Sequence, residues 1–220
     1  MAGEIIMTYW AGPTTDYVDR SLSSVKRYAD RIGATHKHVS PQHKPDYPHP
    51  AWGKQDCLSD FLDSKHQRLL FLDCDIIVAD NAPSIFETHP HGNYLRRDPL
   101  IEYRWAREFE RWCSQNHGFD TCCQPYFNTG VMLMERWFAR DLLERLTRTE
   151  QINHGTYEQH TWNYCMKHYR MLGDISWLGS EWNWMNVTPL EHRREDERWF
   201  DHYPSESGKV ILAERLEVAQ

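Results

Sequence analysis

"RLLFLDCDIIVADN", residues 68–81, decides how this chain is read. Leu69 to Leu72 form an apolar run too short for a helix of that hydrophobicity, so it reads as a buried strand. The run breaks at Asp73-Cys74-Asp75, and Ile76, Ile77 and Val78 resume it. An unpaired buried carboxylate costs several kcal/mol, and two so close also repel each other. A divalent cation removes both penalties, because carboxylate oxygens are natural ligands for Mg²⁺ or Mn²⁺. In an extended segment residues i and i+2 point the same way, so Asp73 and Asp75 are expected to reach one ion together. The competing reading makes them loop carboxylates that cap a turn or pair with Arg68.

Upstream, "EIIMTYW" (4–10) reads as a strand that stops at Gly12-Pro13. Tyr17, Leu22, Val25, Tyr28, Ala29 and Ile32 recur at helical spacing, with Thr14 or Thr15 as cap and Gly33 as stop. "ATHKHVS" reads as a second strand, and the proline-rich stretch from Pro41 to Pro50 as loop. Residues 51–66 make a helix whose apolar side carries Trp52, Leu58, Phe61 and Leu62. Strand, helix, strand, helix, strand is the order of an α/β sheet with parallel strands. Downstream, 93–98 is a strand, and 99–118 a helix with Ile101, Trp105, Phe109 and Trp112 on one side. Residues 125–137 form a strand broken at Asn128-Thr129-Gly130. "FARDLLERLTRTE" and "TYEQHTWNYCMKHY" follow as helices, and the last fifty residues read as irregular and rich in Trp. With neither repeat nor linker, the 220 residues are expected to make one domain.

The net charge of −7 and the scatter of the 25 Lys and Arg residues argue against nucleic acid as a partner. Ten Trp and eleven Tyr suit sugar and base stacking, and equally suit a core. The six cysteines contain no C-x-x-C pair, which argues against a zinc knuckle and for free thiols in a reducing compartment. "MAGEIIMTYWAG" lacks the features of a signal peptide, and no apolar run approaches the ~20 residues needed to span a bilayer. A soluble cytoplasmic protein is the expectation. Nothing in the sequence addresses its oligomeric state.

"LLFLDCDIIV" resembles the D-x-D segment of nucleotide-sugar glycosyltransferases with the GT-A fold, especially the glycogenin-like and bacterial galactosyltransferase-like retaining enzymes. Other landmarks follow in that family's order. Lys54 stands where the family has a donor-contacting Lys. "FNTGVMLM" resembles F-N-[ST/A]-G-V, which places Asn128 and Thr129 toward the donor sugar. "YEQHTWN" resembles D-Q-D-x-x-N, with Glu158 for the first Asp, Gln159 and Asn163 matching, and His160 departing. "LGSEWN" resembles L-P-x-x-[WY]-N, with Trp182 and Asn183 matching. "DHYPSESGK" resembles H-F-x-G-x-x-K, one residue longer, with His202 as third metal ligand and Lys209 on the diphosphate.

The resemblance implies a single GT-A-type, Rossmann-like α/β domain with a mostly parallel sheet flanked by helices. Its nucleotide-binding half would run to about residue 80, and its sugar and acceptor half from there to 220. It implies Mn²⁺ or Mg²⁺ on Asp73, Asp75 and His202, and a UDP-sugar donor. Thr8, Tyr9, Tyr17, Lys54, Cys74, Asn128, Thr129, Gln159 and Lys209 would hold the donor, and Glu158 and Gln159 would serve catalysis. The acceptor would be a glycan or other small molecule. Retention is implied, while an inverting enzyme with a lone general base stays open. A haloacid-dehalogenase-like phosphatase also carries D-x-D after an apolar strand, with the first Asp as nucleophile. A non-catalytic nucleotide-sugar-binding module is the remaining alternative.

Overall fold

The computed structural model describes residues 3–40, 47, 49–98, 111–116, 125–152, 158–185 and 198–203. Among them lie nine strands: β1 (Glu4–Tyr9), β2 (Thr35–Val39), β3 (Arg68–Asp73), β4 (Ile76–Val78), β5 (Asn93–Arg97), β6 (Phe127–Glu135), β7 (Ile175–Trp177), β8 (Trp184–Met185) and β9 (Phe200–His202). Six form the main sheet in the order β2-β1-β3-β6-β5-β7. β1 runs parallel to β2 and β3, and β5 parallel to β7. β6 runs against both its neighbours, β3 and β5. The sheet is thus mostly parallel, as expected, and the reversal brings the first residues of β6 beside the carboxyl end of β3.

The helices that cover it are α1 (Asp16–Ile32), α2 (Lys54–Asp63), α3 (Ile85–Thr88), α4 (Arg136–Leu146) and α5 (Glu158–His168). Side chains alternate across each strand. Met7, Leu69 and Phe71 pack with Phe61 of α2, Phe138 and Leu142 of α4 and Trp162 of α5. Ile6, Leu70 and Leu72 pack with Val25, Tyr28 and Ala29 of α1. A strand covered on both faces is apolar without alternation, which is why residues 69–72 read as one unbroken run. Gly33 ends α1 in the left-handed conformation at φ 74°. Thr15 occupies the N-cap, but its side chain makes no capping bond.

Several local expectations are corrected. Tyr17 and Leu22 are only half-buried, while Ser21 and Ser24 are buried on α1. Their hydroxyls serve β4: Ser21 Oγ donates to the Ile76 carbonyl at 2.7 Å, and Ser24 Oγ accepts from Val78 N–H at 3.0 Å. Residues 50–53 form a 3₁₀ turn before α2. β6 runs unbroken through Asn128-Thr129-Gly130, and the irregularity falls on β5 between Leu95 and Arg96. The stretch read as irregular contains β7, β8 and β9, each too short to show periodicity. Most of the expected 99–118 helix lies outside the described residues, and its 111–116 portion is helical.

β4, β9 and β8 make a second sheet with β9 in the middle, antiparallel to β4 and parallel to β8. Trp52, Trp162 and Trp184 are fully buried, so these indoles are core. Among the described residues no helix is long and apolar enough to cross a membrane. Cys57, Cys74 and Cys165 are buried free thiols, and Cys113 is buried as well. Leu142 is wholly buried between α4 and the sheet. Leu142→Ala should therefore cost about 2–5 kcal/mol, read as an earlier midpoint in urea with unchanged slope.

Candidate active site

β3 ends at Asp73, Cys74 and Asp75 form a turn, and β4 begins at Ile76. The two carboxylates therefore meet across a turn and not along an extended strand, which corrects the geometry expected from the sequence. β9 pairs His202 with Ile76, directly after Asp75. This register sets His202 Nε2 at 3.2 Å from Asp75 Oδ1. One ligand atom each from Asp73, Asp75 and His202 lies within 4.8 Å of the others. Arg68, the alternative partner, instead donates to the carbonyls of Phe86 and His89.

Lys54, the first residue of α2, is buried and aims its ammonium into the same space. Nζ lies 2.8 Å from Asp73 Oδ1, 2.7 Å from Glu158 Oε1 and 3.4 Å from Thr129 Oγ1. Burial works to lower its pKa, but Asp73 and Glu158 more than reverse this and hold the charge firmly on. Burial raises the Asp73 carboxyl, Lys54 opposes that rise, and Asp75 adds to it. Burial works to lower the pKa of the His202 imidazole, yet Asp75 and Asp73 leave it net raised. Three carboxylates against one ammonium leave two negative charges uncompensated when His202 is neutral. That deficit is the charge of a divalent cation, and two carboxylates with one imidazole are a donor set such an ion accepts.

The first residues of β6 close the other side. Asn128 Oδ1 accepts from Gly130 N–H at 2.8 Å and from Asn183 Nδ2 at 3.0 Å. Gln159, on the first turn of α5, accepts at Oε1 from Thr129 N–H and Asn128 Nδ2, both at 3.1 Å. Its Nε2 donates to Asp98 Oδ2 at 3.2 Å and to the Tyr126 hydroxyl at 3.1 Å. His160, the departure from the sequence pattern, is wholly buried with Nδ1 2.6 Å from the Tyr126 hydroxyl. Gly130 is required by the imidazole, since a Cβ there would lie 2.5 Å from His202 Cε1.

A cleft of about 340 Å³ opens beside Lys54, Asp73, Cys74 and Asp75, walled by Tyr9, Trp10 and residues 49–51. Tyr9 donates to the Pro50 carbonyl at 2.6 Å, and its ring lies over Gly53, where a Cβ would meet the hydroxyl oxygen at 2.0 Å. Tyr17 does not line the cleft itself but stands edge-on to Trp10, which does. Thr8 is different: it is fully buried, with its hydroxyl on His36 Nε2 and His38 Nδ1 at 3.2 and 3.0 Å. Lys209 lies outside the described residues. Asp98 and Tyr126 carried no signal in the sequence, and Asn183 showed only as part of a matched segment.

A family model described as "Glycosyl transferase family 8" matches residues 56–203. A curated relative, "Probable galacturonosyltransferase-like 9" of Arabidopsis thaliana, is 34% identical over 105 residues, covering 43% of this chain and 26% of that protein. The chain thus spans about a quarter of the length of that relative. Among solved structures, a glycosyltransferase involved in glycosylating the major capsid of PBCV-1 aligns with TM-score 0.66 at 16% identity, over 94% of this chain and 96% of that one. The galactosyltransferase LgtC, bound to donor and acceptor sugar analogues, aligns with TM-score 0.52 at 13% identity, over 92% and 87%. At such identities these likenesses show the fold, which is that of GT-A glycosyltransferases.

Gly130→Ala should force the imidazole or the Asn128 amide aside. The expected loss is about 1–3 kcal/mol, typical of overpacking, seen as a melting temperature several degrees lower. An unchanged melt would mean that His202 has room to move.

Proposed function

The chain belongs to glycosyl transferase family 8, and from that premise we propose that it moves a sugar from a nucleotide-diphosphate sugar to an acceptor with the help of Mn²⁺ or Mg²⁺. The observation that carries the metal is the excess of two negative charges among Asp73, Asp75, Glu158 and Lys54, with a buried imidazole facing it. Asp73, Asp75 and His202 would hold the ion, which when bound acts as a Lewis acid on the diphosphate.

The chain's own groups would divide the remaining work. Lys54 supplies a fixed positive charge beside the leaving diphosphate, in a site too buried for water to screen it. Tyr9 and Trp10, the latter backed by Tyr17, wall a cleft that would take the nucleoside, and a UDP-sugar is the donor we favour. Thr8 would support that wall from behind, and the Cys74 backbone would pass close to the diphosphate. Asn128, Thr129, Glu158 and Gln159 would surround the sugar. All four hydrogen-bonding positions of Gln159 are engaged within the protein, so it would act on a developing oxocarbenium charge through its carbonyl dipole. Glu158 is committed to Lys54, so it would stabilise charge and not act as a general base, and retention is the outcome we favour. Lys209 would add a second cation at the diphosphate, and a glycan or other small hydroxyl compound would accept the sugar. We read the 220 residues as one domain, with the nucleotide side built from β1 to β3 and the sugar side from the rest.

Incubation with UDP-sugars and Mn²⁺, without acceptor, tests this reading. The transferase should slowly release free sugar, a phosphatase would release phosphate from phosphomonoesters, and a binding module would do neither. Asp75→Asn should abolish both the hydrolysis and the Mn²⁺-dependent thermal shift, a larger loss than the roughly 10–100-fold cost of removing an outer partner of a metal site. A shift that survives the substitution would place the ion elsewhere.

A further inference from the structure

Six side chains join into one line of hydrogen bonds across the site. They run from His202 through Asn183, Asn128, Gln159 and Tyr126 to His160. The direction of each bond follows from donor and acceptor chemistry. Gly130 N–H can only donate, so the Asn128 atom facing it at 2.8 Å is the carbonyl oxygen. Asn183 must then present its NH₂ to that oxygen, which turns its own carbonyl toward His202 Nδ1 at 2.9 Å. A carbonyl only accepts, so Nδ1 carries the hydrogen and the ring's other nitrogen, Nε2, faces Asp75 and Asp73.

The far half agrees. Thr129 N–H fixes the Gln159 oxygen toward β6, and Asp98 fixes its NH₂ on the other side. The Tyr126 hydroxyl accepts from that NH₂ and gives its own hydrogen to His160 Nδ1. Every bond in the line therefore donates away from His202, and two backbone N–H groups of β6 set the sense of the whole.

Building on the metal reading above, we propose that Asn183 is a positioning residue that holds His202 in the one tautomer able to bind a cation, and that Asn128 and Gly130 of β6 lock Asn183 in that orientation. A metal-binding imidazole needs a bare nitrogen on the ion and an acceptor for its other N–H. Asn183 supplies that acceptor, and its orientation is inherited from the backbone of the strand that also forms the sugar side. The metal ligand and the sugar subsite thus share one set of amide orientations.

The test is direct Mn²⁺ titration of the purified full chain, without nucleotide, by electron paramagnetic resonance of the free ion. Asn183→Leu keeps the branched shape of the side chain and removes the acceptor; Asn183→Asp keeps the acceptor. Folding is checked by circular dichroism and melting, and Asn183→Ala stands in for Asn183→Leu if the latter does not fold. The Leu or Ala variant should bind Mn²⁺ about 10–100-fold more weakly, and the Asp variant should stay within a few-fold of the parent. Wild-type affinity in the folded Leu or Ala variant would overturn the assignment, as would an Asp variant as weak as these. A parent protein that takes up no Mn²⁺ would instead remove the metal site itself, and the assignment with it.

Discussion

Like charges forced together out of water govern this structure. Asp73, Asp75 and Glu158 converge within a buried space that one ammonium, Lys54, only partly neutralises. Such an arrangement is costly in any protein, and well-packed apolar substitutions would relieve it. The chain instead spends ordered elements on keeping the charges in place. α2 begins at the residue that carries the ammonium, β3 ends at the first carboxylate, and α5 begins with the third. A cluster held this firmly fits the preorganised cation site proposed above.

The sheet explains how distant segments meet there. Parallel strands deliver their carboxyl ends to one edge, and that edge is where open α/β sheets bind ligands. A parallel β6 would have brought its last residues to this edge; the reversed β6 brings Asn128, Thr129 and Gly130. The small second sheet then carries His202 back to the turn after β3. Ser21 and Ser24 of α1 hold the partner strand β4 by its backbone, so the imidazole is referenced to the main fold and not to a free tail.

The first half of the chain was legible because each element there is long and its period unambiguous. β1, α1, β2, α2 and β3 fall close to where the apolar pattern put them. The ordered landmarks also named Lys54, Asp73, Asp75, Asn128, Glu158, Gln159 and His202, all of which the fold brings to one place. Strand direction was not legible, since side-chain alternation is the same for either sense. The turn at Cys74-Asp75 was hidden because apolar residues flank it on both sides, so Asp75 was expected to continue the extended strand that carries Asp73. The buried serines of α1 were missed because a hydroxyl that serves a neighbouring backbone looks, in sequence, like a solvent-facing residue. Asp98 and Tyr126 matter only through Gln159, and such partnership leaves no local pattern.

The position of β9 also sets an order of assembly. β9 is the middle strand of the small sheet, and β4 and β8 pair with it alone within that sheet. During synthesis some 120 residues emerge after Ile76 before the first of β9 does, so β4 waits with one edge unpaired and Asp75 without its imidazole. The elements from β1 to β3 are therefore all synthesised well before the strand whose imidazole closes on Asp75.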